Sequence, residues 1–173
     1  CWGEIGTRTF RADVTTNISG NGNYTIDITG NLVSEIDGIT LLIIYRDPYA
    51  AYQGTFVIYD GCESYQGSTT ATQDIMNFNA CDNSSFARGF TITSDQQDNV
   101  APSHQITINS GTYSFPNSFW NMDDTTTNIS IGQTSSTFGV IPASGDCWTW
   151  AAMGLYFQTT TCATCSPPNT LSL

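Results

Sequence analysis

The sequence predicts an all-β fold, an antiparallel β-sandwich of jelly-roll type stapled by disulfides. Three observations carry this. Apolar and polar residues alternate with period two in many short runs, the pattern of half-buried strands. Turn residues separate those runs, and no long stretch has the period of an amphipathic helix. Isoleucine outnumbers leucine 16 to 6, which favours strands.

Taken in order, Phe10, Ala12 and Val14 alternate with Arg11 and Asp13, and Tyr24, Ile26 and Ile28 with Thr25, Asp27 and Thr29. With Gly20-Asn21-Gly22 between them they read as a hairpin. Ile39 to Tyr45 is almost continuously apolar and reads as a central strand covered on both faces, entered at Asp37-Gly38 and stopped by Pro48. Thr55 to Tyr59 follows and ends at Asp60-Gly61. Residues 63–88 are weakly periodic, with Gln73 to Asn79 a short helix or a crossing loop. Strands resume at Phe90–Thr93, Gln105–Asn109, Thr112–Phe115, Asn128–Ile131 and Thr137–Ile141. In Cys147 to Thr160 both faces are largely apolar, one with Trp148, Trp150, Ala152, Gly154 and Tyr156, the other with Thr149, Ala151, Met153, Leu155 and Phe157. This is a core strand. Residues 1–160 are expected to form one domain, and 161–173, with Pro167-Pro168, an extended tail.

Composition excludes several functions. The chain of 173 residues carries a net charge of −11, and 11% of its residues are charged. A chain this acidic, without a basic patch, repels nucleic acid. It has no lysine, which removes Schiff-base and P-loop chemistry. Its longest apolar run is far too short to span a bilayer.

Six cysteines in a lysine-free, Thr/Asn/Ser-rich chain point to an oxidising compartment and to disulfides. A zinc site needs two close Cys/His pairs, and only Cys162 and Cys165 form one. Cys62 and Cys81 bracket the irregular middle segment and are the natural pair. Cys1, Cys147, Cys162 and Cys165 allow three pairings.

Three stretches, in this order and spacing, resemble a known family. They are Arg11-Ala-Asp-Val-Thr-Thr followed by Gly22-Asn-Tyr-Thr-Ile; Asp37-Gly-Ile-Thr-Leu-Leu-Ile-Ile-Tyr-Arg-Asp-Pro running into Phe56-Val-Ile-Tyr-Asp-Gly; and Gly145-Asp-Cys-Trp-Thr-Trp-Ala-Ala. Asn117-Ser-Phe-Trp-Asn fits between them. Together they resemble a β-sandwich domain of unknown function in secreted bacterial and archaeal surface proteins, including adhesin-like proteins exported by the type IX system of Bacteroidota. The resemblance covers most of residues 10–160. It implies an extracellular, non-catalytic role and carries over no catalytic residue. Relatives usually have strands before the Arg11 segment. A sandwich lacking one would expose an open edge that a tail such as Thr159 to Leu173 of another copy could fill, making a filament subunit. The plainer alternative is a self-contained sandwich.

Other residues have side chains suited to chemistry. His104, the one histidine, has no nucleophile elbow to serve and reads as a surface residue. Asp60, Glu63, Asp123, Asp124 and Asp146 are a pool from which a glycosidase pair could be drawn, though turn roles suit them better. No cofactor is expected. Calcium is the one ion the loop oxygens would suit, at Asp95, Asp98, Asp123 and Asp124, but neither run matches an EF-hand. Trp120, beside Asn121 and Asp123, is the candidate exposed aromatic of a carbohydrate-binding module. Asn17, Asn23, Asn83 and Asn128 are N-glycosylation candidates, and Thr125 an O-glycosylation candidate. The expected role is structural or adhesive at a microbial surface, as a filament subunit or an adhesin module, with copies of itself, other surface domains or glycans as partners.

Overall fold

The computed structural model describes residues 7–29, 36–67, 69–81, 86–97, 101–143, 145 and 147–159. Eight strands among them form two four-stranded sheets: β1 (Gln53–Tyr65), β2 (Ala71–Ile75), β3 (Phe86–Ser94), β4 (His104–Ile108), β5 (Gly111–Phe115), β6 (Trp120–Thr126), β7 (Ser136–Ile141) and β8 (Trp148–Thr159). Sheet A has the order β1-β8-β3-β6 and sheet B the order β2-β7-β4-β5. Every pairing is antiparallel. The chain crosses between sheets after β1, β2, β3, β5, β6 and β7, the wiring of a sandwich.

The core lies between the sheets. Ile106, Ile108, Phe138 and Val140 of sheet B meet Ala87, Met153, Leu155 and Phe157 of sheet A, with Trp148 and Trp150 at one end. Trp148 stacks on Tyr65 with ring centroids 4.5 Å apart. The two tryptophans and Met153, Leu155 and Phe157 share this inner face, although strict alternation along β8 separates them. A bulge explains it: Trp150 and Ala152 pair with neighbouring residues of β3, leaving Ala151 as the extra residue. One inserted residue shifts the alternation by one. β1 carries its own bulge at Gly61 and Cys62, so it continues to Tyr65 instead of ending at Asp60-Gly61.

The other expectations divide by position. Residues 90–93, 105–108, 112–115 and 137–141 fall in strands, and Asn109, expected to end a strand, lies in the turn after β4 with a positive φ of 53°. Gln73 to Asn79, expected to be a short helix or a crossing loop, begins inside β2, and β6 stands where the sequence predicts no strand. Asn128–Ile131 is not a strand. The larger correction is N-terminal. Residues 7–29 contain one 3₁₀ turn, Thr15–Asn17, and no strand, so the expected hairpin does not form. Ile39 to Tyr45 is not a strand either. Among the described residues β1 and β6 are the edges of sheet A, and residues 39–45 are strand-paired to neither; an apolar pattern without a hydrogen-bonded neighbour does not make a strand. Of the expected donor tail, Thr159 ends β8 and residues 160–173 lie outside the described residues.

Residues 7–11 and 37–40 nevertheless touch opposite edges of sheet A. Arg11 pairs with Asp60 at 2.8 Å, and the Thr9 hydroxyl donates to the Gly61 carbonyl, both at the bulge of β1. At the other edge the indole Nε1 of Trp120 on β6 donates to the Thr40 hydroxyl at 2.9 Å. Gly38 lies so close on the Trp120 ring that no side chain would fit there.

Candidate functional site

On β4, alternation turns His104, Ile106 and Ile108 inward. On β6 the inward residues are Asn121 and Asp123, cross-strand partners of Thr93 and Thr91 on β3. These strands bring a polar cluster together inside one end of the sandwich. His104 is fully buried, and its Nε2 lies 2.5 Å from Asp123 Oδ2. Its Nδ1 lies 3.1 Å from Asn117 Oδ1, which also accepts the His104 backbone N–H at 2.7 Å. Both ring nitrogens face oxygens. Gln96 Nε2 donates to Thr93 Oγ1 at 2.8 Å, and Asn121 Nδ2 donates to the Pro116 carbonyl at 2.8 Å. Thr91 Oγ1, Gln96 Oε1 and Asn121 Oδ1 have no hydrogen-bond partner among the described residues. The cluster ties sheet B to sheet A through a buried hydrogen-bonded pair.

This corrects several expectations. His104 is an interior residue. Asp123 and Asn121 are buried beneath β6, not arrayed beside Trp120 on an open surface. Trp120 is half-buried on the opposite face of β6, packed against Phe90, Ile92 and Ala151. The reversal arises because the outer face of sheet A is apolar too, so the polar residues of β6 take the inside. Of the calcium candidates, Asp95 is buried, Asp123 serves His104, Asp124 pairs with Arg88, and Asp98 lies outside the described residues. No three His, Cys, Asp or Glu side chains converge among the described residues. Asp60 is engaged by Arg11, and Glu63 accepts from Gln73 Nε2 at 3.0 Å. Asp146 lies outside the described residues.

Cys62 is free and exposed, so the Cys62–Cys81 bridge does not form. Its thiol sits in the β1 bulge and donates to the Thr7 carbonyl at 3.2 Å. Sequence spacing made the pair natural, but the bulge fixes where the thiol points. Cys81 and Cys147 are disulfide-bonded. Cys1, Cys162 and Cys165 lie outside the described residues, as does Asn83. Asn17, Asn23 and Asn128 are exposed, and Thr125 is half-buried within β6. An open recess of about 340 Å³ lies beside Asn128, between the β4–β5 turn and the loop after β6.

Asp37, beside Ser94, belongs to the contact at Trp120. Burial raises its pKa, and the neighbouring Ser94 side chain opposes the rise. A carboxyl raised in the folded state stabilises the docked segment fully below its ordinary value. That contribution is lost as pH rises through the raised value. Acidification into the carboxylate range is therefore expected to tighten residues 37–40 onto β6. Trp120-dependent fluorescence should change over that range, and Asp37→Asn should flatten the change; an unaltered titration in this variant refutes the assignment.

No helix among the described residues is long and apolar enough to cross a membrane. No protein-family model matches the chain, and no curated protein matches it. Among solved structures it is similar to dimeric latent PorU from Porphyromonas gingivalis, with a TM-score of 0.46 and 10% identity over 62% of this chain and 13% of that one. It is similar to a family 35 carbohydrate-binding module from Clostridium thermocellum, with a TM-score of 0.40 and 13% identity over 58% and 97%. A third is the Bacillus endospore appendage structure, described as a disulfide-linked pilus, with a TM-score of 0.26 and 12% identity over 66% and 97%. At these scores and identities the likenesses carry nothing about this chain's activity, ligand or partners.

Proposed function

We propose that this chain is a non-catalytic structural or adhesive protein of a microbial cell surface, acting outside the cell and associating with copies of itself, as a filament subunit or a module of a larger adhesin. One observation carries the reading. Ile39, Ile43, Ile44 and Tyr45 are 55%, 55%, 64% and 83% exposed, and Tyr49 is 93% exposed. Residues 39–45 make no backbone–backbone hydrogen bond to any described residue. An apolar, strand-patterned segment with unpaired backbone groups is what a sheet edge on another molecule would complete.

The occupant is a second copy. Apolar side chains exposed together along one segment of a soluble chain mark an interaction site. The burial of His104 and Asp123, the one histidine and its carboxylate, supports a role without turnover, and the exposed Asn17, Asn23 and Asn128 suit a glycosylated surface protein.

Light scattering after size exclusion tests the reading. The chain is expected to form dimers or larger species whose mass rises with concentration. Ile43→Asp and Ile44→Asp, at exposed positions, should return it to a monomer with unchanged thermal stability. A wild-type monomer at all concentrations overturns self-association.

A further inference from the structure

A segment that adds to a sheet needs an edge to receive it, and the four edges of this sandwich are not alike. β1 is bulged at Gly61 and Cys62, carries Asp60 and Glu63, and has residues 7–11 against it. β6 carries Asp123 and Asp124, and residues 37–40 meet it at Trp120. β2 carries an exposed Asp74. Charges, bulges and covering segments keep an edge from pairing with another chain. β5 has none of these. Its residues, Gly111-Thr112-Tyr113-Ser114-Phe115, include no charge and no proline, their register is unbroken, and they pair with β4 alone among the described strands.

The register determines which groups β5 offers. Asn109 and Ser110 close the β4–β5 hairpin, so Ile108 and Gly111 flank a two-residue turn as a hydrogen-bonded pair. Hydrogen-bonded pairs recur at Ile106 with Tyr113 and at His104 with Phe115. The N–H and C=O groups of Thr112 and Ser114 therefore point away from β4, and no described backbone group bonds them. Between them Tyr113 and Phe115 are half-buried against the core. The Tyr113 hydroxyl donates to the Thr126 carbonyl at 3.0 Å, which ties this edge to β6.

We propose that the free edge of β5 is the acceptor for residues 39–45 of a second copy, which add to sheet B as a further strand; this rests on the self-association proposed above. Main-chain hydrogen bonds to Thr112 and Ser114 hold the added strand. In Ile39–Tyr45 one face carries Ile39, Leu41 and Ile43 and the other Leu42 and Ile44, so either face brings apolar side chains to Tyr113 and Phe115. Each copy carries a charge of −11, and two such chains repel. Ile39–Tyr45 and β5 are both uncharged, so their contact desolvates no carboxylate, whereas a strand added to β1, β2 or β6 would crowd one. The acceptor edge is already ordered by β4 and by the Tyr113 bond, so only the arriving segment loses freedom on binding.

The test is hydrogen exchange read by mass spectrometry, beside light scattering, on the wild type and on Ile43→Asp at matched low and high concentration. In the associated wild type, amides of a peptide covering residues 111–115 should exchange at least about tenfold more slowly than in the dilute protein, and Ile43→Asp should show no slowing. Thr112→Pro removes one outward N–H and no ladder bond, and should weaken association at least about tenfold. Circular dichroism checks that each variant is folded; should Thr112→Pro unfold, the exchange result decides. A wild type that associates while residues 111–115 exchange as in the monomer overturns β5 as the acceptor and leaves self-association standing. A wild type that is monomeric at all concentrations overturns both. Equal protection of residues 111–115 at every concentration places the same copy's segment there and overturns the second copy as occupant.

Discussion

Replacing Asp123 by alanine is expected to destabilise the fold by about 3–5 kcal/mol, the cost of breaking a buried polar pair on one side. In a domain of this size that lowers Tm by on the order of 10 °C. The His104 ring is fully buried, and Asp123 Oδ2 at 2.5 Å is the partner of its Nε2. Truncating Asp123 leaves that nitrogen in the interior without its hydrogen-bond partner, where water does not replace it. His104→Leu is expected to be similarly harmful, because it strands a buried carboxylate. The double variant His104→Leu/Asp123→Leu should recover much of the loss, since two apolar side chains need no partner. Urea denaturation of the three variants measures this. Single losses below about 1 kcal/mol, or a double variant as poor as the sum of the singles, refute a coupled pair.

The sandwich was legible where alternation and turn chemistry agree. Ile106 and Ile108, the Asn109-Ser110-Gly111 turn and the Thr137–Ile141 run each carry both signals, and each lies where the sequence places it. Alternation misleads in two ways. It marks no inserted residue, so Ala151 silently moves Trp148 and Trp150 to the face of Leu155. It also describes a side chain's preference and not the presence of a hydrogen-bonding neighbour. Ile39 to Tyr45 has the pattern of a buried strand, yet both edges of sheet A stand without it.

The polar cluster was partly legible. His104 alternates with Ile106 and Ile108, and that spacing alone puts it on the buried face. What hid its partner was the apolar outer face of sheet A. Trp120 and Met122 look inward by composition, and Asn121 and Asp123 look outward. Phe90 and Ile92 offer an apolar surface outside the sheet, so Trp120 packs there, and the inner space is left to groups that satisfy His104.

A glycine between the sheets makes a second large effect. Phe138→Ala is expected to cost about 3–5 kcal/mol, since the ring is fully buried at the centre of the core. Gly89 on β3 faces that ring: a Cβ there would stand 2.9 Å from two of its carbons and 2.5 Å from Ile108 Cδ1. Gly89→Ala alone is therefore expected to cost about 1–3 kcal/mol by overpacking. The two sites share one volume, so their effects should not add. With the ring gone, Ile108 can turn into the space and the new methyl partly fills it. The double variant Gly89→Ala/Phe138→Ala should be more stable than the sum of the singles predicts, by about 1–2 kcal/mol. Denaturation of the four proteins closes the cycle. Strict additivity would mean that the sheets move apart to relieve Gly89→Ala and do not press the methyl against Phe138.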